Sequence, residues 1–398
     1  MLKEIEEKVE EIKERLIKFR REIHSNPELS GEEKNTAAFV AGVLEASDVE
    51  TIRNIGGHGV VGIIRGTAEG GEGKTFAMRA DMDALPLQEV GSCPYVSTVA
   101  GVMHACGHDV HTAVLMGTAV VLASLKDQIK GNVKLIFQPS EELSIIGAKF
   151  MIEDGVLEDP VPDAIVALHC FPEIQAGNIA HRPGIMTACA DKMTITIKGK
   201  GGHASRPHQT VDAILVASLV INAIHHIVSR RTDPLDHSVI SIGTIHGGDA
   251  PNIIADRVVM EGTVRAFNED VRKDLARIME DTIRGVTAGI GGEYEFEYHY
   301  GTPPVINDAA LDGFVKNAAL DLLGEECVHE MNKPMMGAED FAYFAQKVPG
   351  VLFRLGTCNP EKGITEKLHS SSFDVDEDVL AIGTKLMSWM AVKYLNEE

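Results

Sequence analysis

The chain has 398 residues, 44% of them hydrophobic and 24% charged, with 37 basic against 59 acidic side chains and a formal charge of −22. That is the composition of a soluble globular protein, long enough for two or three domains of roughly 100–200 residues each and for a full core without covalent staples. So acidic a surface repels phosphate backbones and anionic lipid, so neither a nucleic-acid partner nor a membrane partner is expected.

Leu2, Ile5, Val9, Ile12, Leu16, Phe19 and Ile23 recur three and four apart, a helical stripe that stops at Ser25-Asn26-Pro27. Its mixture of aromatic and β-branched residues, with no longer repeat behind it, predicts a helix packed on its own domain rather than a coiled coil. Strands over 60–65 and 75–80 follow, then a helix over 108–125, a strand over 133–138, a short helix over 148–153 and a strand over 163–169. The least polar run, 112–125, is too short for a bilayer span of roughly 20 residues and reads as a buried helix. Such alternation predicts an α/β layer fold with a mostly parallel sheet, whose ligands gather at the loops after the strands.

Near Arg182 the pattern changes. Residues 191–199 alternate polar and apolar, a helix over 211–229 follows, then strands over 238–245 and 257–267, a helix over 270–290 and a strand over 294–300. This β-α-β-β-α-β order is that of a ferredoxin-like α+β unit. The α/β alternation returns after Gly301-Thr302-Pro303-Pro304. The reading is an α/β domain in two parts, 1–181 and 298–398, with a smaller domain, 182–297, inserted between them.

Cys93, Cys106, Cys170, Cys189, Cys327 and Cys358 contain no Cys-x-x-Cys pair, and six in a chain this long is no disulfide scaffold. The charged N-terminal stretch has no apolar signal core. A reduced, cytoplasmic protein is expected.

The densest chemical cluster is Met103-His104-Ala105-Cys106-Gly107-His108-Asp109-Val110-His111. Neutral imidazole and thiolate are preferred ligands of zinc and its neighbours. Cys106 and His108, two apart on a loop, can face one ion, and Gly107 lets the backbone turn into the helix that carries His111. Phe137-Gln138-Pro139-Ser140-Glu141-Glu142 ends a strand on adjacent carboxylates, which repel unless a cation or proton intervenes. Metal-assisted hydrolysis uses two such groups, one as ligand and one as base. A solvated acidic loop is the plainer alternative, since Glu6-Glu7, Glu10-Glu11, Glu32-Glu33 and Glu325-Glu326 are also paired.

Arg79-Ala80-Asp81-Met82-Asp83-Ala84-Leu85-Pro86 places two acids at another strand end. They are able to bind metal, to orient a ligand histidine (the role assigned to Asp83) or simply to make a turn. His169 closes a strand, where a buried structural histidine is a fair alternative; His369 precedes an acidic helix start, where a lone histidine is normally just a loop residue. In the inserted domain, Gly199-Lys200-Gly201-Gly202-His203-Ala204-Ser205 lets backbone approach a ligand, and its histidine is able to donate to an oxyanion. It lacks the spacing of a phosphate loop.

Taken in order, with Arg20-Arg21-Glu22-Ile23-His24-Ser25-Asn26-Pro27-Glu28-Leu29 and Met336-Gly337-Ala338-Glu339-Asp340-Phe341, these motifs resemble the M20 metallopeptidase family. More narrowly they resemble its amidohydrolase branch of hippurate hydrolases, aminoacylases, N-acetyldiaminopimelate deacetylases and plant hydrolases of indoleacetyl-amino acids. The resemblance runs from Arg20 to His369. It implies two divalent metal ions (zinc, manganese, cobalt or nickel) on Cys106, His108, Glu142, His169 and His369, with Glu141 as general base and acid. It implies a homodimer or homotetramer in which the inserted domain is a lid and dimerisation domain, and His203 reaches across into the partner's active site. Asn252, in Pro251-Asn252-Ile253-Ile254, and Arg265, in Gly262-Thr263-Val264-Arg265, match lid residues that hold substrate polar groups. Many relatives carry His-x-Asp where this chain has Asp81-Met82-Asp83. That removes one expected imidazole, and Cys106 and His108 take over as in the amidohydrolase branch.

The implied reaction is hydrolysis of the amide of an N-acyl amino acid (N-acetyl, N-benzoyl or similar) to a carboxylic acid and a free amino acid. A metallo-exopeptidase acting on short peptides through the same site is the alternative enzyme. A non-catalytic binding protein that kept the fold would have lost Glu141 or several ligands, and none is missing.

Overall fold

A computed structural model describes residues 1–69, 73–91, 93–143 and 147–397. The chain divides into two compact units, Met1–Met186 with Ile306–Lys333 and Asp340–Glu398, and Thr187–Val305 with Pro334–Glu339.

The first unit opens with α1 (Leu2–Ser25), α2 (Lys34–Glu45), β1 (Glu50–Ile55), β2 (Gly59–Arg65), β3 (Thr75–Asp81), α3 (His108–Ser124) and β4 (Asn132–Gln138). There follow α4 (Gly147–Glu153), β5 (Ala164–Gln175), β6 (Ile179–His181) and β7 (Gly184–Ile185). The second unit holds β8 (Ala190–Lys198), β9 (Gly202–His203), α5 (Ala213–Arg230), β10 (Ser238–Gly247), β11 (Ile253–Ile254), β12 (Arg257–Ala266), α6 (Glu269–Ile290) and β13 (Glu293–Thr302). The first unit resumes with β14 (Ile306–Asn307), α7 (Ala309–Leu323), β15 (Val328–Glu330), α8 (Ala342–Ala345), β16 (Gly350–Cys358) and α9 (Asp378–Asn396).

Eight strands form the first unit's sheet in the order β1-β2-β4-β3-β5-β16-β6-β15. The central run β4-β3-β5-β16 is parallel, and β1 and β2 join antiparallel at one side. Every residue of β3 is buried, as expected of a parallel strand covered on both faces. The stripe on α1 buries Ile5, Val9, Leu16, Phe19 and Ile23 within its own unit, against α3 and α9. In α3, fourteen of seventeen residues are buried, so no polar face marks its period. A Cβ on Gly117 of that helix would sit 2.2 Å from Leu16 Cδ2, which is why the α1–α3 crossing needs glycine there.

Several elements escaped the sequence reading. β1 is an exposed, polar edge strand without alternation. β5 continues to Gln175, past the expected end at 169, because its ladder with β16 runs on through Phe171.

The second unit has a four-stranded antiparallel sheet in the order β10-β12-β8-β13. Strand sequence 2-3-1-4 is the ferredoxin-like arrangement expected from the element order. Met193, Ile195 and Ile197 of β8 face Val216, Val220 and Ile224 of α5 and Leu275, Met279 and Ile283 of α6 in one core. Asp212 caps α5 through the N–H groups of Ile214 and Leu215, and Asn268 caps α6 through those of Asp270 and Val271. α5 is long and apolar enough to span a bilayer by length and composition alone. Its buried stripe packs on the sheet, while Ile214, Leu215 and Leu219 are exposed.

Candidate metal centre

The C-terminal ends of the parallel strands set the site. β3 leads to Asp83, β4 to Glu141 and Glu142, β5 carries His169, and α3 starts at His108. Ligand atoms of Cys106, His108 and His169 lie within 4.8 Å of one another, all three residues buried. Cys106, Glu142 and His369 form an overlapping set, and His108, Glu141 and Glu142 a third. Through these shared members the structure brings all five expected ligands and the expected base together. Cys106 Sγ is 3.5 Å from His169 Nε2, and His369 Nε2 is 3.5 Å from Glu142 Oε1.

His108 Nδ1 lies 2.8 Å from the Asp83 carbonyl, to which it donates, with Asp83 Oδ1 at 3.2 Å. Nε2 lies 3.7 Å from Asp81 Oδ2, and against burial Asp81 and Cys106 hold the ring well above its ordinary pKa, so a cation taken at Nε2 displaces a proton. Among the described residues Nε2 is buried without a hydrogen-bond partner, which is unusual for a buried polar atom. The thiol, three imidazoles and carboxylate gathered around it are the donor set of zinc and its neighbours. The residues therefore fit divalent metal ions. Burial, then His111 and Arg354, hold His169 well below its ordinary pKa and keep its lone pair free. Burial pushes the Cys106 thiol up, so a cation taking the thiolate displaces its proton.

The other two histidines of the motif are not ligands in this arrangement. His111 is close to Asp81 and His108, but both its nitrogens are committed. Nδ1 donates to Asp81 Oδ1 at 2.6 Å, and Nε2 accepts from the Cys170 N–H at 2.8 Å. Among the described residues His104 is buried with neither ring nitrogen hydrogen-bonded, and burial depresses its pKa to about 3.

Two non-glycine residues with left-handed backbone belong to this cluster or adjoin it: Ser140 (φ 60°), just before Glu141, and His369 itself (φ 63°). Such conformations cost on the order of 1 kcal/mol and persist only where neighbours enforce them. The His369 N–H is held by the Ala105 carbonyl at 2.7 Å. Gly107 has φ 89°, and a Cβ there would lie 2.7 Å from Cys170 Sγ. Gly107→Ala should therefore lose roughly 2–4 kcal/mol of stability through combined strain and overlap. Urea denaturation checks this, and a loss below about 0.5 kcal/mol would show the loop free to relax.

Sequence reasoning missed a buried charged network beneath this loop. Arg20 Nε donates to Asp109 Oδ2 at 2.7 Å, His24 Nδ1 lies 2.8 Å from the same oxygen, and Arg20 also reaches Asp374 at 2.8 Å. Asp109 adjoins ligand candidate His108, so α1 anchors the metal loop. The sequence placed Arg20 and His24 directly beside Phe19 and Ile23 of the apolar stripe, and the structure buries them with it.

In the second unit, β9 and β11 make a two-stranded ribbon pairing His203 with Ile253. The Ala204 N–H donates to the Asn252 carbonyl at 3.1 Å, so His203 and Asn252 are neighbours. His203 Nδ1 accepts from the Ser205 N–H at 3.1 Å, which leaves the proton on Nε2. A cleft of about 600 Å³ is lined by Lys200, His203, Ser205 and Arg206. Arg265 is not brought to the ribbon: it lies eight residues along β12 from Arg257, roughly 25 Å on a strand. Its guanidinium bonds back to Thr263 and the Val264 carbonyl.

Residues 77–393 match the model of peptidase family M20/M25/M40. The chain is 40% identical to thermostable carboxypeptidase 2 of Saccharolobus solfataricus, over 100% of both chains. It is 38% identical to the N-acetylcysteine deacetylase of Bacillus subtilis, over 95% of this chain and 96% of that protein. A dinuclear metal-binding peptidase of the M20 family from Bacillus subtilis superposes with a TM-score of 0.83 at 35% identity, covering 97% of this chain and 99% of that one. Continuous similarity across both units, together with the cluster of metal-ligating side chains at the strand ends, establishes that this chain belongs to peptidase family M20/M25/M40.

Proposed function

We propose that this M20-family hydrolase cleaves the amide bond of N-acyl amino acids, with Glu141 as general base and then general acid. The observation that carries the reading is the shared cluster of His108, Glu141 and Glu142 at the end of β4, overlapping the Cys106 sets. Two divalent ions held by Cys106, His108, Glu142, His169 and His369 would supply Lewis acidity, lowering the pKa of water and polarising the amide carbonyl. Zinc suits this donor set, and manganese, cobalt and nickel also accept it. Glu141 takes the proton of the attacking water and returns it to the leaving amine, so one carboxylate serves both steps. His203, with its proton on Nε2, donates to the developing oxyanion. Asn252 holds a polar group of the substrate; Arg265, set apart from the His203–Asn252 ribbon of its own chain, would meet the substrate carboxylate only beside the partner's ribbon.

Residues 1–181 and 298–398 are assigned the chemistry, and 182–297 the lid and dimer contacts. The exposed Ile214, Leu215 and Leu219 of α5, with the sheet-edge strand β10 bearing exposed Val239 and Ile245, supply an apolar self-association surface for a homodimer. Six cysteines, none in a disulfide, suit the cytoplasm. If His203 acts across the dimer, mixing inactive Glu141→Gln and His203→Ala chains should restore up to a quarter of parental activity through hybrid dimers. Verified hybrids with no recovery would place His203 outside the partner's site.

A carboxypeptidase is the second reading, favoured by the full-length likeness to the Saccharolobus enzyme. The test is kcat/KM on N-acetyl and N-benzoyl amino acids and on dipeptides, with metal content measured on the same samples. A tenfold or greater preference for dipeptides would overturn the deacylase reading.

A further inference from the structure

Asp340, in the motif Glu339-Asp340-Phe341, is outside the five expected ligands and is not the expected base, but it forms a buried group with Glu141 and Glu339 whose carboxylate oxygens lie within 4.8 Å of one another. It is 1% exposed and its carboxylate is saturated. Oδ1 accepts from Arg79 Nη2 at 2.9 Å and from Gln138 Nε2 at 2.7 Å; Oδ2 accepts from Gln138 Nε2 at 2.8 Å and from the Ala148 N–H at 2.9 Å. Gln138 is the last residue of β4 and Ala148 the second of α4. One carboxylate thus joins both ends of the connection that carries Glu141 and Glu142. The closure is tight: a Cβ on Gly147 would meet Pro139 O at 2.4 Å, Gln138 Nε2 at 2.6 Å and Asp340 Oδ2 at 2.8 Å.

The front of the same connection is held by two other buried acids. The Ser140 N–H donates to Glu33 Oε1 at 2.7 Å, and the Glu142 N–H to Asp83 Oδ2 at 3.0 Å. Between them lies Ser140 in its left-handed conformation, which relaxes unless both flanks are fixed. Arg79 extends the frame, donating to Asp81 Oδ2 at 2.6 Å; Asp81 takes the His111 proton, and His111 holds the N–H next to His169.

We infer that Asp340 is a positioning residue, which closes the connection bearing Glu141 and Glu142 and so fixes the direction of the base relative to the ligands. The inference rests on the assignment of Glu141 as base. The physical ground is that a base misdirected by about 1 Å loses much of its effectiveness while substrate binding is little changed. Carboxylate hydrogen bonds to a guanidinium and to amides are among the stronger ones available to hold a loop. Asparagine at 340 would turn one acceptor face into a donor facing N–H groups.

The test uses the full chain. Asp340→Asn, saturated with metal, should lose ten- to a hundredfold in kcat on an N-acetyl amino acid, with KM within threefold of the parent. In the metal-free protein, amide exchange at Glu142 and Ala148 should quicken at least tenfold, while β3 and β5 keep their protection. The swapped pair Gln138→Glu with Asp340→Asn puts the carboxylate on the other partner. It should recover at least fivefold of the lost turnover and the protection of Ala148. If Asp340→Asn does not fold, Ala148→Pro gives the same readouts in kcat and in exchange at Glu142, since it removes the donated N–H at an early helical position that tolerates proline. Turnover within threefold of the parent, unchanged exchange at Glu142 and Ala148, a uniform rise over the whole unit or a swapped pair no better than Asp340→Asn would each overturn the inference. Exchange is read without metal or substrate, so an error in the role of Glu141 would leave that result standing and show itself separately in Glu141→Gln.

Discussion

Glu141→Gln should lower kcat on an N-acetyl amino acid by roughly a thousandfold or more while leaving metal content unchanged. The replacement keeps the size and the oxygen of the side chain and removes only its basicity. Glu141 shares its cluster with His108 and Glu142, yet the set that closes on Cys106 and His369 uses Glu142, not Glu141. Glu141 also belongs to groups that could hold an ion, with His108 and Glu142 and with Glu339 and Asp340, so the proposed role of proton carrier rests on its absence from the Cys106–His369 set. Steady-state kinetics on protein of measured metal content decides the matter. Turnover within tenfold of the parent would remove Glu141 as the base, whereas lost metal would make it a ligand.

Cys106→Ala should cost most of the bound metal, from about two ions per chain to fewer than one, with activity down at least a hundredfold. The reason is topological. Cys106 is common to the set with His108 and His169 and to the set with Glu142 and His369. Removing it weakens both, whereas losing His369 touches only one of them. Truncating a cysteine to alanine in a buried site leaves a small cavity and costs on the order of 1 kcal/mol, so the fold should survive. Elemental analysis after dialysis against buffered metal reads the stoichiometry, and thermal unfolding checks the fold. An unchanged stoichiometry would take the thiolate out of the metal shell.

The formal charge of −22 bears on the proposed substrate, which is itself an anion. The excess is unevenly spread. Residues 187–305 hold twelve basic and fifteen acidic side chains, against 25 and 44 in the rest of the chain. The nearly balanced segment includes Lys200, His203 and Arg206, which line one cleft. Recruitment of a carboxylate is thus assigned to local cations rather than to the overall field, whose reach in salt is about 8–10 Å.

Local pattern carried much of the fold. The stripe of α1, the alternation in β8 and the βαββαβ order were legible because each is set by residues near in sequence. α3, buried all round, lacks a periodic face and was legible instead from its long apolar run. β1, exposed all along, shows no contrast at all and was missed.

At the site, the sequence by itself determined the donor types, the adjacency of Glu141 and Glu142, and the family resemblance they support. It did not separate three histidines of one motif, since His104, His108 and His111 are chemically alike. Tertiary structure decided between them. His111 is consumed by Asp81, thirty residues away, and by the N–H of Cys170, fifty-nine residues away, while Asp83 turns His108 so that its Nε2 faces Cys106 and His169. Arg20 and Asp340 were likewise visible as residues but silent as functions. A buried charge takes its meaning from the partner that satisfies it, and that partner is chosen by the packing of distant strands and helices, not by neighbours along the chain.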